Sequence, residues 1–242
     1  MSGGDRDFVW PDLERARRKG VPEVILAEGK AIEHAVEIAR IFLERQGRAI
    51  LSRVAPELEA RLRNDLAEGV VFEWYPYARA AVLRKPDTEI PARGGRVGVL
   101  TAGTSDVPAA EEAAMLCREM GCEVHTTFDV GVAGLHRLFG PLYQMLDDYQ
   151  VDVLVVAAGM DGALPSVVSG LADVPVIGLP TAVGYGLGGN GVAALYSMLQ
   201  TCSPGMAVVN VGNGIGAGAM AGLIANRAAA ARRGSHDTRT FS

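Results

Sequence analysis

From residue 96 onward the chain alternates near-continuous Val/Ile/Leu runs with helical stretches. Every run ends in a short polar or glycine-rich loop. The runs are RVGVLTAG (96–103), EVHTTFDVG (123–131), VDVLVVAAG (151–159), VPVIGLP (174–180) and MAVVNVG (206–212). Strands this apolar are buried on both faces, which is the environment of a parallel sheet. Helical patterns at 107–120, 133–147, 165–172, 189–201 and 215–232 supply the crossovers, with helices on both sides of the sheet. In such a sheet, ligands bind beyond the carboxyl ends of the strands. The loops there read TAGTSD (101–106), DVGVAGLHR (129–137), GMDGALPS (159–166), PTAVGYGLGG (180–189) and NVGNGIGAG (210–218). Together they predict an active-site rim.

The first part of the chain is organised differently. A basic lead-in helix is expected over 1–20, then VPEVILAEG (21–29) as a strand entering a turn, and an amphipathic helix over 31–47 closed by glycine. AILSR (49–53), a helix over 55–68 and VVFEW (70–74) complete a small βαβαβ unit over 1–90. RKPDTEIPARGG (84–95) reads as a linker, 95–232 as the larger domain, and 233–242 as a disordered tail. A net charge of -5 and 6% aromatic residues argue against a nucleic-acid surface. No window reaches the roughly 20 apolar residues of a membrane span, and the first residues carry charge where an export signal is apolar. A cytoplasmic location is therefore expected.

Each rim motif has two readings. In TAGTSD, small residues leave the next helix's N–H groups open to an anion, while Ser105 or Asp106 also suits an ordinary N-cap. His136 follows a Gly-x-x-Gly loop, where an imidazole suits proton transfer; a lone helix histidine is as readily structural. Asp161 stands between glycines after the most apolar strand, a setting that can raise a carboxyl pKa for acid–base work; Asp-Gly is also a common turn pair. Gly184, Gly186 and Gly189 match G-x-G-x-x-G, but in the fourth strand–helix unit and with no carboxylate over 203–210 for a ribose. A standard dinucleotide site is rejected. Cys117, Cys122 and Cys202 form neither a disulfide framework nor a zinc pair. On spacing alone Cys202 reads as a small buried apolar residue.

TAGTSD, DVGVAGLHRL, AAGMDGALPSVVSG, VIGLPTAVGYG and CSPGMAVVNVGNGIGAG, with RRKGVPEVILAEGK at 17–30, closely resemble the LarB family of nickel-pincer cofactor biosynthesis. Its C-terminal domain is similar to aminoimidazole ribonucleotide (AIR) carboxylase. The resemblance implies a three-layer α/β sandwich with a parallel, doubly wound, flavodoxin-like sheet, plus a small N-terminal α/β unit. The implied reaction carboxylates the pyridinium ring of nicotinic acid adenine dinucleotide at C5, with CO2 or bicarbonate, and hydrolyses the phosphoanhydride. Its products are pyridinium-3,5-biscarboxylic acid mononucleotide and AMP.

The resemblance also implies roles for residues. Cys202 becomes the nucleophile that adds reversibly to the pyridinium ring, which requires it near Ser105 and Asp161. Asp161 becomes the base that removes the C5 proton. Ser105, Asp106 and Thr104 handle CO2 and the phosphoribosyl group, and His136 lies in a unit where relatives also carry histidine. Lys30 and Arg79 clamp the dinucleotide phosphates, and Gly162, Gly184, Tyr185, Gly186, Asn213 and Gly214 line the substrate. Mg²⁺ is expected at the anhydride step, without assigned ligands. The relatives assemble as octamers, so a homo-oligomer is expected, with the glycine- and alanine-rich last helix suited to close contacts. Gly212 stands where the family pattern has an acid, and Ala31 follows Lys30 where threonine is common. The rival readings are an AIR carboxylase/mutase of purine biosynthesis and a non-catalytic nucleotide-binding regulator.

Overall fold

The computed structural model describes residues 11–66 and 68–234, which fall into two compact units, Met1–Glu89 and Ile90–Ser242. The first contains α1 (Arg15–Lys19), β1 (Ile25–Leu26), α2 (Ile32–Gln46), β2 (Arg48–Ser52), α3 (Pro56–Leu66), β3 (Val71–Tyr75) and β4 (Ala80–Arg84). Helix α2 ends where the sequence places its glycine: Gly47 adopts φ 71°, a left-handed conformation that costs a residue without Cβ little. Its apolar face and that of α3 cover the sheet with a core built around Phe42, Leu51, Leu58, Leu62 and Leu83.

The sheet order is β1-β2-β4-β3, with β1 parallel to β2, and β4 antiparallel to both β2 and β3. The expected βαβαβ pattern lacks β4. That strand inserts centrally through a tight turn over 76–79, where Arg79 takes φ 47° and its carbonyl accepts the Val54 N–H at 2.7 Å. Of the expected lead-in helix only α1 lies among the described residues; residues 1–10 and most of the expected tail, 235–242, lie outside them.

The second unit is the parallel α/β sandwich. Strands β5 (Arg96–Thr101), β6 (Glu123–Thr127), β7 (Val153–Ala158), β8 (Val176–Pro180) and β9 (Met206–Val208) pair in the order β6-β5-β7-β8-β9, every pair parallel. This is the flavodoxin-like 2-1-3-4-5 order, whose switch point lies between its first and third strands. Here those are β5 and β7.

Helices α4 (Val107–Glu119) and α8 (Gly214–Arg232) cover one face. They approach so closely that a Cβ on Gly218 would stand 2.6 Å from the Ala113 carbonyl oxygen. The small-residue stripe of α8 is thus used inside the chain. Helices α5 (His136–Tyr143), α6 (Ala163–Ser169) and α7 (Val192–Leu199) cover the other face over Leu138, Leu142, Leu164, Val168 and Met198.

At the amino edge of the sheet, Asp152 accepts the Arg96 N–H at 2.8 Å and pairs with Arg232, which also donates to the Gly94 carbonyl at 3.0 Å. The last turn of α8 is thereby tied to the segment leading into β5. Among the described residues, no helix is long and apolar enough to cross a membrane.

Candidate active site

Two loops leave the switch point. After β5 the chain turns through a short 3-10 segment, Thr104–Asp106, into α4. Thr104 and Ser105 are exposed there, but Asp106 is only 4% accessible. Its carboxylate does not cap α4. One oxygen accepts the Gly103 N–H at 2.9 Å, and the other accepts the Thr181 hydroxyl at 2.6 Å from the loop after β8. Burial pushes the Asp106 carboxyl above its ordinary range, and the Thr181, Gly103 and Gly159 hydrogen bonds oppose that shift.

After β7 the chain makes a tight turn, with the Gly162 N–H donating to the Gly159 carbonyl at 2.9 Å. Met160 and Gly162 both have positive φ, 53° and 61°. The Met160 N–H is held by the Val183 carbonyl at 2.7 Å, which ties this turn to the next rim loop. The turn presents Asp161 to solvent beside the buried Asp106 loop. The sequence reading gave Asp161 the apolar setting; in the structure Asp106 occupies it, because Thr181 and two backbone N–H groups stabilise a carboxylate there.

Other predicted residues divide sharply. His136 opens α5 on the rim and is exposed. Tyr185 and Gly186 stand exposed in the 181–191 loop, and Gly184 (φ 153°) lies close to Met160. The remaining glycines and the asparagine have duties within the fold. A Cβ on Gly162 would meet the Ala194 backbone at 2.7 Å, and one on Gly214 would meet the Ala109 carbonyl oxygen at 2.3 Å, so both serve helix packing. The Asn213 side chain accepts the Gly216 N–H at 2.7 Å and caps α8.

Cys202 is exposed, against the buried reading from spacing, while Cys117 and Cys122 are buried. Burial pushes both of those thiols up, Cys122 to about 11. Yet Cys202 is not on the rim of its own chain. It follows α7, and the neighbouring Ser203 hydroxyl donates to the Ser166 carbonyl on α6 at 2.8 Å. Pro204 accepts from Ser169, and Gly205 accepts the N–H of Val176, the first residue of β8. These are amino-edge positions. Asp161 precedes the opposite end of α6, whose seven residues span about 10 Å at 1.5 Å per residue. The Cys202 loop is thus tied to the middle and carboxyl end of α6, whereas Asp161 precedes its amino end.

Lys30 and Arg79 belong to the first unit. There Arg53 pairs with Glu28 at 2.7 Å, and Arg53, then more weakly Arg79, holds the Glu28 carboxyl below its ordinary range. Lys30, Arg53 and Arg79 thus gather at the end of the sheet where β1 and β2 finish and β4 begins. The sequence reading missed Arg53 and Thr181. It also missed the Asp129–Arg137 pair at 2.5 Å, with the Asp129 N–H held by the Thr101 hydroxyl at 3.0 Å. A hydroxyl residue directly following a strand was the available signal for Thr181.

Among the described residues, no group of three or more His, Cys, Asp or Glu side chains could hold a metal ion.

Comparisons with known proteins agree with this architecture. Residues 4–85 match the LarB/PurE-like N-terminal domain, and residues 96–239 match AIR carboxylase. An uncharacterized protein of Methanocaldococcus jannaschii is 41% identical over 216 residues, covering 88% of this chain and 82% of its own length. The N5-carboxyaminoimidazole ribonucleotide mutase of the same organism is 32% identical over 47% of this chain and 67% of its own length. The Thermotoga maritima mutase is 27% identical over 53% and 74%. The crystal structure of Treponema denticola PurE covers 60% of this chain and 99% of its own, at 20% identity and a TM-score of 0.38. On the family matches, the chain belongs to the AIR carboxylase family and carries a LarB/PurE-like N-terminal domain ahead of its catalytic fold.

Proposed function

We propose that this protein is a LarB-type carboxylase/hydrolase. It carboxylates nicotinic acid adenine dinucleotide at ring position C5 and cleaves the phosphoanhydride to release AMP. The observation that carries the reading is the first unit. The named mutases match only about half of this chain, and the remainder is a LarB/PurE-like domain with a basic edge of Lys30, Arg53 and Arg79. A dinucleotide brings a second phosphate and a second nucleoside, and guanidinium groups suit phosphate oxygens.

The chemistry follows from the ring. The Cys202 thiolate adds to a pyridinium carbon beside C5, and the electron pair displaced toward nitrogen leaves an enamine that is nucleophilic at C5. That carbon attacks CO2. Asp161 takes the C5 proton as the sulfur–carbon bond breaks, restoring aromaticity and returning the thiolate. A soft, reversible nucleophile suits this sequence better than serine or lysine. The loop over Thr104, Ser105 and Asp106, opening α4, receives carboxylate and phosphate oxygens. Water then cleaves the anhydride, and any Mg²⁺ would arrive on the substrate's own phosphates.

The test is incubation with nicotinic acid adenine dinucleotide, bicarbonate and Mg²⁺, followed by mass spectrometry. Carboxylated mononucleotide and AMP are expected, and the absence of both overturns the reading. Asp161→Asn is expected to slow carboxylation by about 10²- to 10⁴-fold, the usual worth of a general base. The names of the mutase relatives support one alternative, conversion of N5-carboxyaminoimidazole ribonucleotide. Under it Cys202→Ser keeps full activity on that nucleotide.

A further inference from the structure

The rim loop that joins β8 to α7 has a fixed neck and a free tip. At the neck, the Thr181 N–H donates to the Ala158 carbonyl at 3.0 Å, and the Val183 carbonyl accepts the Met160 N–H. The Thr181 hydroxyl holds Asp106. The two stalks of the loop also touch, since a Cβ on Gly191 would stand 2.8 Å from the Thr181 carbonyl oxygen. Beyond this neck runs GYGLGGN (184–190), four glycines in seven residues. Gly186 has φ 76°, and a Cβ there would meet nothing within 4 Å, so this glycine serves backbone freedom and not packing. The side chains set between the glycines are large and apolar: Tyr185 is 83% exposed, and Leu187 has no cover at all. The tip starts beside the Asp161 turn, where a Cβ on Gly184 would stand 3.5 Å from Met160. A pinched neck carrying a glycine-hinged tip is the build of a lid.

We propose that the 184–190 tip closes over the rim when a ring substrate binds, and that Tyr185 selects a positively charged heteroaromatic ring. Tyr185 and Leu187 hold apolar surface in water, and a flat ring lying in the rim takes that surface out of it. Closure therefore gains only when the rim is filled. Ordering a glycine-rich tip is entropically expensive, so the lid opens again once the ring leaves. Charge decides which ring is kept. The face of an aromatic side chain attracts a cation lying over it, and the exposed Asp161 on the adjoining turn adds negative charge. Both favour a pyridinium, which is charged at every pH, over a neutral aminoimidazole. Closed, the tip keeps water from the ring carbon during carboxylation. The Asp106 bond at the neck keeps the Thr104–Asp106 loop in place while the tip moves. The identity of the ring rests on the proposed carboxylation; the closure rests on the loop itself.

Tyr185→Trp reports closure directly, because a pyridinium quenches the fluorescence of an indole it stacks on. Both of the chain's own tryptophans, Trp10 and Trp74, belong to the first unit and give the background. Nicotinic acid adenine dinucleotide is expected to quench Tyr185→Trp beyond the wild type, and AMP, which lacks the pyridinium, is not. No added quenching overturns the lid, whether or not the wild type makes product. Quenching without any product leaves the lid standing and overturns the carboxylation. Hydrogen exchange at 184–190 is expected to slow by about tenfold or more with the dinucleotide and not with AMP; unchanged exchange overturns closure. Tyr185→Phe keeps an aromatic face, and Tyr185→Leu keeps only bulk. The Kd of the dinucleotide should rise about tenfold in Tyr185→Leu and stay within about threefold in Tyr185→Phe, with the Kd of AMP unchanged in both. Equal losses in the two variants overturn the selection of a charged ring.

Discussion

The two faces of the parallel sheet treat apolar surface in opposite ways. Under α4 and α8 the contact is made by glycine and alanine: Gly214, Ala217, Gly218, Ala221 and Ala225 are buried, and backbone nearly touches backbone. Over α5, α6 and α7 large side chains do the packing, and several are left outside, among them Phe139, Tyr143, Tyr196 and Leu199. One face is a finished core; the other leaves large apolar side chains in solvent. The difference separates residues whose replacement unfolds the chain from residues whose replacement leaves its stability nearly unchanged.

Three substitutions probe that contrast, in order of falling effect. Gly218→Val sets a branched side chain against the Ala113 backbone and Leu116. Overpacking of this kind costs about 3 kcal/mol or more where backbone must move, and urea unfolding at neutral pH should show it. Thr181→Val, at the rim between the two faces, removes a donor from the buried Asp106 carboxylate and should cost about 2 kcal/mol at neutral pH. Because Asp106 already has a raised folded pKa, its contribution to stability is present below the unfolded carboxyl range and is lost as pH rises through the folded value. Losing the hydroxyl raises the carboxyl further, so the cost should be larger at pH 7 than at a pH below the ordinary carboxylate range, where the charged form no longer counts. An equal cost at both pH values would show that Thr181 acts by packing alone. Tyr196→Ser, on the open face, should change the unfolding free energy of the chain by about 0.5 kcal/mol or less. A large loss in chain stability would mean that this face, too, belongs to the core.

Much of this architecture was legible in the sequence because strong local signals agreed with the tertiary outcome. The Val/Ile/Leu runs became the five parallel strands, and Gly47 closed α2 as its position suggests. What the sequence hid was long-range. AAVLR at 80–84 is a short run, with only Pro76 in the preceding turn to announce it, and pairing with both β2 and β3 makes it a central strand. Gly162 and Gly214 resemble ligand-cradling glycines in a string of letters. Whether a missing Cβ admits a substrate or a neighbouring helix depends on what lies opposite, Ala194 and Ala109 here. Asp161 and Asp106 exchanged environments because Thr181, 75 positions away from Asp106, supplies the donor that makes burial of Asp106 tolerable. Only the resemblance singles out Cys202, and no local motif states at which edge of a sheet its loop will lie.

The clasp of Arg232 on Asp152 and Gly94 has a topological corollary. It draws the point where the catalytic fold starts and the point where it stops to a single corner, on the side away from the rim. A fold whose ends coincide can be reopened elsewhere, or accept a neighbouring module at either end, without rethreading its sheet.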